Sequence, residues 1–318
     1  MTETTLASQA GYLIEVAGRA PSLHNTQPWR FSVGRDAIEL HADPGRRLRV
    51  DPDGREVVIS CGAALFGLRL AVRSLGRQPD VELLPGPGTL ARVRLGPPAP
   101  MAAEERKLLV AVPHRHTHRG PFEPGPLPDG LLDRLRDDAR AEGATLVVVD
   151  SADARAELAS IAAAAGRSQD RDPAARAETR RWSHEPDSQA RDGVPAHAFP
   201  AASRREARPL PQRDFDLGRG FGLLADEEPA PVVMAALLTH GDGERDWLRA
   251  GQALQRLLLR AASLWVFARL NTQPLEQAAT RARVRECLAE PGWPQMLLAL
   301  GVSRTTHPTG RRPAADLT

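Results

Sequence analysis

The sequence predicts an α+β fold in which helices pack on mainly antiparallel sheets, arranged as two diverged half-units. Helical and alternating apolar segments follow one another without the strict one-to-one order of a parallel α/β sheet. The order helix, loop, hairpin, buried helix and strand in the first third returns later, more loosely, as helix, strand, buried helix and strand. The length and composition, 318 residues with 42% hydrophobic and 26% charged, supply a full globular core and argue against global disorder.

Residues 5–19 carry Leu6, Ala10, Leu13, Ile14 and Ala17 at helical spacing, and Pro21 closes that helix. Residues 20–28, rich in Pro, Ser, Asn and Thr, read as a loop. Trp29, Phe31 and Val33 alternate with polar residues, as do Ile38 and Leu40 beyond a Gly34-Arg35-Asp36 turn, which predicts a hairpin. Residues 57–75 are apolar on most sides and predict a buried central helix. Strands are expected at 81–84 and 90–95, a helix at 101–112, and a Pro- and His-rich seam at 113–128. The second half then predicts a helix at 130–142, a β-branched strand at 145–149 and a helix at 151–165. Residues 166–231 are crowded with Arg, Asp, Glu, Pro and Ser, bury little, and read as a mobile excursion or a cover held by the rest of the fold. A strand at 232–238, helices at 246–268 and 273–288, a strand at 295–302 and a polar, basic tail complete the chain. The expected division is residues 1–112 and 113–318, forming one composite unit.

The formal net charge of +2 gives no general attraction to nucleic acid or membrane. Lys107 is the only lysine, so nearly every basic group is an arginine, whose planar fork grips phosphate in a way lysine does not match. Cys61 and Cys287 make no disulfide framework and fit a reducing compartment. No signal peptide and no apolar run of about twenty residues is visible, so a soluble cytoplasmic protein is expected.

Three constellations carry candidate chemistry. The first is Pro21-Ser22-Leu23-His24-Asn25-Thr26-Gln27-Pro28-Trp29, where two prolines frame a loop whose polar side chains suit the edge of a planar heterocycle. A capped turn before a hairpin fits the same residues. The second is His114-Arg115-His116-Thr117-His118-Arg119, in which Arg115, Arg119 and the Thr117 hydroxyl suit a phosphate. A solvated basic loop is the bland alternative. A metal on the three histidines is the other, although no carboxylate or cysteine stands close in sequence. The third is the tail Pro308-Thr309-Gly310-Arg311-Arg312-Pro313, either a frayed end or a segment folding back to bring Arg311 or Arg312 to the same phosphate. No dinucleotide-binding glycine fingerprint, Walker loop or nucleophile elbow occurs. A protein without side-chain nucleophiles that binds a cofactor leaves the chemistry to that cofactor.

Together the three constellations resemble the nitroreductase superfamily of FMN-dependent oxidoreductases. Residues 20–31 resemble its Pro-Ser-x-x-Asn-x-Gln-Pro-Trp motif, and residues 114–122 resemble its phosphate-binding arginine motif, with Arg115, His116, Thr117 and Arg119 at matching positions and His116 replacing an arginine. Gly310-Arg311-Arg312-Pro313 resembles its C-terminal phosphate-binding segment. In the family the arginine motif precedes the Pro-Ser loop; here it follows by about a hundred residues. The resemblance therefore implies a fused pseudo-dimer similar to the Acg-like branch of actinobacteria, a monomer with one FMN site formed within one chain and its symmetry mate lost. Trp182-Ser183, Asp192-Gly193-Val194-Pro195, residues 247–258 and Gly292-Trp293-Pro294-Gln295-Met296 resemble that branch too.

The resemblance implies that Pro21, Ser22, His24, Asn25, Gln27, Arg115, His116, Thr117, Arg119, Gln273, Arg311 and Arg312 bind FMN, with Arg119 stabilising charge on the reduced flavin. It implies NAD(P)H as electron donor and nitroaromatic or quinone-like acceptors, with no catalytic side chain required. No nucleic-acid or membrane partner is expected. Residues 166–231 would act as a lid, and if closed would turn the protein into one that sequesters FMN.

Overall fold

The computed structural model describes residues 6–199, 210–222 and 232–318. Helix α1 (Leu6–Gly18) buries the stripe its spacing foretells. Strands β1 (Trp29–Val33) and β2 (Ala37–Ala42) form the expected hairpin, with Phe31 opposite Leu40. Helix α2 (Arg55–Ser74) is buried along most of its length, and the Asp51 carboxylate caps it by accepting from the Glu56 and Val57 amides at 3.1 and 3.0 Å. Strands β3 (Arg77–Gly86) and β4 (Thr89–Pro98) and helix α3 (Ala103–Ala111) finish the first half.

The second half contains α4 (Leu131–Ala141), β5 (Ala144–Val148), α5 (Ala152–Arg171), α6 (Pro173–Arg181) and two short strands, β6 (Ser183–His184) and β7 (Val194–Pro195). After these come β8 (Val233–Thr239), α7 (Glu244–Ala262), β9 (Val266–Asn271), α8 (Ala278–Leu288) and β10 (Trp293–Val302). Two four-stranded antiparallel sheets result, ordered β1-β2-β4-β3 and β5-β8-β10-β9. In both, the spatial order is first, second, fourth, third strand, and a long helix leaves the second strand. This is the architectural repeat expected from the order of elements.

The two sheets differ in burial. Strand β2 alternates buried and less buried positions, as a sheet with one wet face does. Strands β8 and β10 are buried nearly throughout, because α4 and α7 cover one face and α5 and α8 the other. Their continuous runs, Val233 to Leu238 and Met296 to Leu300, follow from that double cover.

Helices α2 and α7 join the halves back to back. A Cβ on Gly62 would stand 2.3 Å from the Leu248 carbonyl oxygen, and one on Gly251 would stand 1.9 Å from that of Ile59. Each glycine meets a residue three positions before the other, so the contact is reciprocal, and only glycine permits it. The chain's end returns to the first half, where the Phe31 amide on edge strand β1 donates to the Leu317 carbonyl at 2.7 Å.

Three expectations are corrected. Helix α7 stops at Ala262 rather than 268. Trp265 takes a left-handed φ of 57°, and residues 266–271 pair with β10. Their apolar periodicity continues that of the helix, but sheet pairing wins. Helix α8 starts at Ala278, because Pro274 lies in a separate turn, Gln273–Leu275. Residues 166–181 are helical: alanine is the best helix former, and Asp172 caps α6 ahead of Pro173. Farther on, Val194, Ala196, Ala198, Phe199 and Phe215 form a small apolar cluster of their own, so the excursion buries more than its composition suggests. Residues 200–209 and 223–231 of it lie outside the described residues. Helix α2, although long and apolar enough to cross a bilayer, is the buried central helix expected.

Candidate functional site

The Pro-Ser loop folds into a turn, Leu23–Asn25, in which His24, Asn25 and Gln27 all take left-handed φ near 50°. Such φ values are uncommon for residues with a Cβ and persist where surroundings hold them. Two amide side chains do the holding. Asn25 Nδ2 donates to the Gly193 and Gly310 carbonyls at 2.9 and 3.1 Å, and Asn25 Oδ1 accepts from Arg311 Nη1 at 3.0 Å. Gln27 Nε2 donates to the Arg191 carbonyl at 2.8 Å, and Gln27 Oε1 accepts from the Arg312 amide at 2.8 Å. Asn25 and Gln27 thus tie the loop to residues 191–193 and to the tail, while Pro21, Ser22, Leu23 and His24 line a cleft.

That cleft encloses about 690 Å³, part of it open to solvent, between α2 and α7. Glu56, Ile59 and Ser60 come from α2, Leu254 from α7, Leu270 to Gln273 from the end of β9, and Met296 from β10. Gln212, Arg213 and Phe215, from the excursion, close another side. The segment with the basic motif runs beside β9: Thr117 pairs with Ala268, and the His118 amide donates to the Ala268 carbonyl at 3.0 Å. This places Thr117 and Arg119 in the cleft wall.

At one end of the site three arginines converge. Arg115 is buried and Arg119 and Arg311 are partly buried, and burial lowers each guanidinium's pKa, to about 10 for Arg115 and Arg119 and well down for Arg311. After burial, the charge of Arg119 depresses Arg115, and the charges of Arg115, Arg19 and Arg119 depress Arg311. Arg115 Nη2 donates to the Arg19 carbonyl at 3.1 Å, but Arg115 Nε and Nη1 and Arg311 Nε have no hydrogen-bond partner among the described residues. Burying the Arg115 guanidinium with nitrogens that find no partner among the described residues is costly, and an anion held by charge-assisted hydrogen bonds removes that cost. The donor set fits a phosphate.

Other candidates fall in different places. Arg312 is separate from this cluster; it lies beside Arg46, Asp43, Asp192 and Asp316, with its amide on Gln27. His116 packs on Phe267 with ring centroids 4.4 Å apart and Nδ1 3.1 Å from the His114 carbonyl, and burial lowers its pKa to about 4. His114 instead stacks on Trp265, and among the described residues no three metal-binding side chains converge. His24 lines the cleft edge-on to Phe215, with neither ring nitrogen hydrogen-bonded among the described residues. Burial first, then the charges of Arg213 and Arg119, keep it neutral. Gln273 lines the cleft and donates to Gln169 Oε1 at 2.8 Å.

Two groups were not anticipated. Glu56 lies in the wall, and its one sequence signal is a charged residue opening an otherwise apolar helix. Arg213 forms a buried ion pair with Glu276 at 2.6 Å and donates to Gln169 Oε1 at 2.9 Å. Nothing in the local sequence marks Arg213 among the many arginines around it.

Fold and site together define an α+β protein with a cleft between α2 and α7 beside which three arginines converge. No family model matches the chain. It is 36% identical over 296 residues, 91% of this chain and 83% of the relative, to a Mycobacterium tuberculosis protein provisionally named NAD(P)H nitroreductase Rv3131. It is 30% identical to Rv3127 of the same organism, with 94% and 89% of the two chains covered. It is 28% identical to Acg, also provisionally named an NAD(P)H nitroreductase, with 96% and 93% covered. A nitroreductase with bound FMN from Desulfitobacterium hafniense aligns with a TM-score of 0.40 at 15% identity, covering 67% of this chain and 97% of that one. The chain belongs to the nitroreductase family, in the branch that includes Rv3131 and Acg.

Proposed function

We propose that the cleft binds one FMN and that the protein is an NAD(P)H-linked oxidoreductase of nitroreductase type. The observation that carries this reading is the convergence of Arg115, Arg119 and Arg311 beside the cleft, with nitrogens of Arg115 and Arg311 that find no hydrogen-bond partner among the described residues. Arg115, Arg119, Arg311 and the Thr117 hydroxyl would hold the phosphate. Ser22, His24 and Gln273 would offer donors and acceptors to the pyrimidine edge of the ring. Bound FMN supplies hydride transfer from NAD(P)H to nitroaromatic or quinone-like acceptors. The chain orients the ring, excludes water with Ile59, Leu254, Leu270 and Met296, and keeps a positive charge, Arg119, in the wall.

The repeated strand order and the reciprocal contact of α2 and α7 support an intramolecular pseudo-dimer, acting as a monomer, with halves 1–112 and 113–318. The two free thiols, Cys61 and Cys287, support a cytoplasmic setting.

The first experiment is the visible spectrum of the FMN-loaded protein before and after anaerobic addition of NADPH. Rapid bleaching is expected, with a flavin-to-chain ratio near one. A protein that takes up no FMN refutes the reading. A second reading, FMN sequestration, is favoured by Gln212, Arg213 and Phe215 in the cleft wall and by the buried Arg213–Glu276 pair that anchors them. It predicts a flavin that dithionite bleaches and NADPH does not.

A further inference from the structure

Glu56 is the one carboxylate among the described residues that line the cleft. It is buried, and Arg55 holds it from the same helix while donating through Nη1 to the Gln295 carbonyl and side chain at 3.0 and 3.1 Å. The carboxyl group is therefore fixed against both α2 and β10 and stands in the wall of the cleft. The other cleft-lining titratable group, His24, is kept neutral, and the remaining charged groups there are the arginines Arg119 and Arg213.

We propose that Glu56 is the proton-donating group of this cleft, an inference that rests on the flavoenzyme reading above. A quinone-type acceptor reduced by two electrons receives a hydride from the reduced flavin and a proton from elsewhere. In this assignment the Glu56 O–H bond breaks, an O–H bond forms on the acceptor's carbonyl oxygen, and the electron pair of the broken bond stays on the Glu56 carboxylate. Arg55 holds that carboxylate until water at the cleft mouth reprotonates it. The surroundings support a proton held at neutral pH. Burial raises the Glu56 pKa to about 7. The Arg55 charge works against this, Asp51 from the preceding loop and Glu276 from beyond β9 add to it, and Arg281 of α8 opposes it. An acid whose pKa lies near the working pH is the efficient one.

The test uses the full chain loaded with FMN, in wild type, Glu56→Gln and Glu56→Asp. Dithionite reduces the flavin, so that access of nicotinamide does not enter, and reoxidation by a naphthoquinone is followed by stopped flow across pH. Wild type is expected to slow about tenfold per pH unit above pH 7. Glu56→Gln is expected to be about a hundredfold slower at pH 6 and to lack that bend, while Glu56→Asp retains the bend with part of the rate. In the apo-protein, an infrared carboxyl band that titrates near pH 7 should vanish in Glu56→Gln and persist, shifted, in Glu56→Asp. Equal rates and one pH profile in wild type and Glu56→Gln overturn the proposal, as does a band that titrates in the ordinary carboxylate range. Failure to take up FMN overturns the flavoenzyme reading and the proposal with it, and is recognised by the missing visible spectrum rather than by the rates.

Discussion

Arg311 Nη1 donates to Asn25 Oδ1 at 3.0 Å across 286 positions of sequence. The contact links the end of the second half to the loop of the first. Arg311 Nε, beside Arg115, has no hydrogen-bond partner among the described residues. Asn25 also donates to Gly193 and Gly310, so one side chain joins loop, cover and tail.

Replacing Asn25 should therefore loosen three segments together. Asn25→Ala removes three hydrogen bonds, each worth about 1 kcal/mol net, and keeps a Cβ at φ 54°. Asn25→Gly loses the same bonds without that backbone penalty, so it should be less destabilised, by about 1 kcal/mol. Urea unfolding of the pair measures the difference. Proteolysis of the tail should accelerate in both variants.

The arginine cradle should bind phosphate with or without a flavin ring. Millimolar inorganic phosphate is expected to raise the melting temperature of the apo-protein, and Arg115→Ala with Arg119→Ala should abolish the rise. The same double variant should lose FMN on gel filtration, since each contact is worth about 1.5–3 kcal/mol. A double variant that emerges yellow removes the phosphate-site assignment.

The seam between the halves is intolerant of volume. Gly62→Ala or Gly251→Ala places a methyl group within 2.3 or 1.9 Å of a backbone carbonyl oxygen, and backbone cannot swing aside as a side-chain end does. Each should cost at least the 1–3 kcal/mol typical of overpacking. A lowered urea midpoint with an unchanged m value would show that stability, not compactness, has changed.

Acid should destabilise the fold through two buried histidines. Burial pushes His116 to about 4 and His118 to about 3, with the His114 and Pro121 carbonyls acting in the other direction. As pH falls below about 6.5, the unfolded chain binds protons that the folded chain refuses. Stability is therefore present above that pH and is lost progressively toward pH 4 and 3. Glu56 acts with the opposite sign, because the fold keeps its proton up to about pH 7 after the unfolded chain has released its own. The histidine contribution is thus read as a difference: His116→Asn with His118→Asn should flatten the stability slope between pH 6.5 and 4 relative to wild type.

Much of this was legible in the sequence because local patterns carried it. The α1 stripe, the Trp29 to Leu40 hairpin and the apolar α2 are set by periodicity and turn residues. The Pro-Ser loop follows from its turn residues, whereas the arginines at 115, 119 and 311 or 312 stood out as phosphate ligands chiefly through the family resemblance. What escaped depends on distant partners. Phe267 and Ala268 look like the last turn of a helix until β10 pairs with them. Asn25 and Gln27 look like ligand-facing amides, yet most of their side-chain hydrogen bonds run to groups more than 160 residues away. Glu56 looks like an ordinary first-turn acid, and only burial among α2, β10 and the cleft gives it a separate chemistry.

The buried Arg213–Glu276 pair offers control over the cover. Arg213 reaches from the excursion to Glu276 at 2.6 and 2.7 Å and to Gln169 at 2.9 Å, while Thr272 also donates to Glu276 at 2.6 Å. Removing one charge alone leaves the other buried and uncompensated, so Glu276→Gln should cost about 3–5 kcal/mol. Replacing both, with Arg213→Gln and Glu276→Gln, avoids that stranded charge and removes this ion pair from the anchoring of the cover. FMN should then leave and re-enter faster, seen as a shorter half-life of bound flavin under dilution. If the cover limits access, NADPH should also bleach the double variant faster than wild type. An unchanged bleaching rate alongside faster flavin release would mean that Arg213 retains the cofactor without gating the reductant.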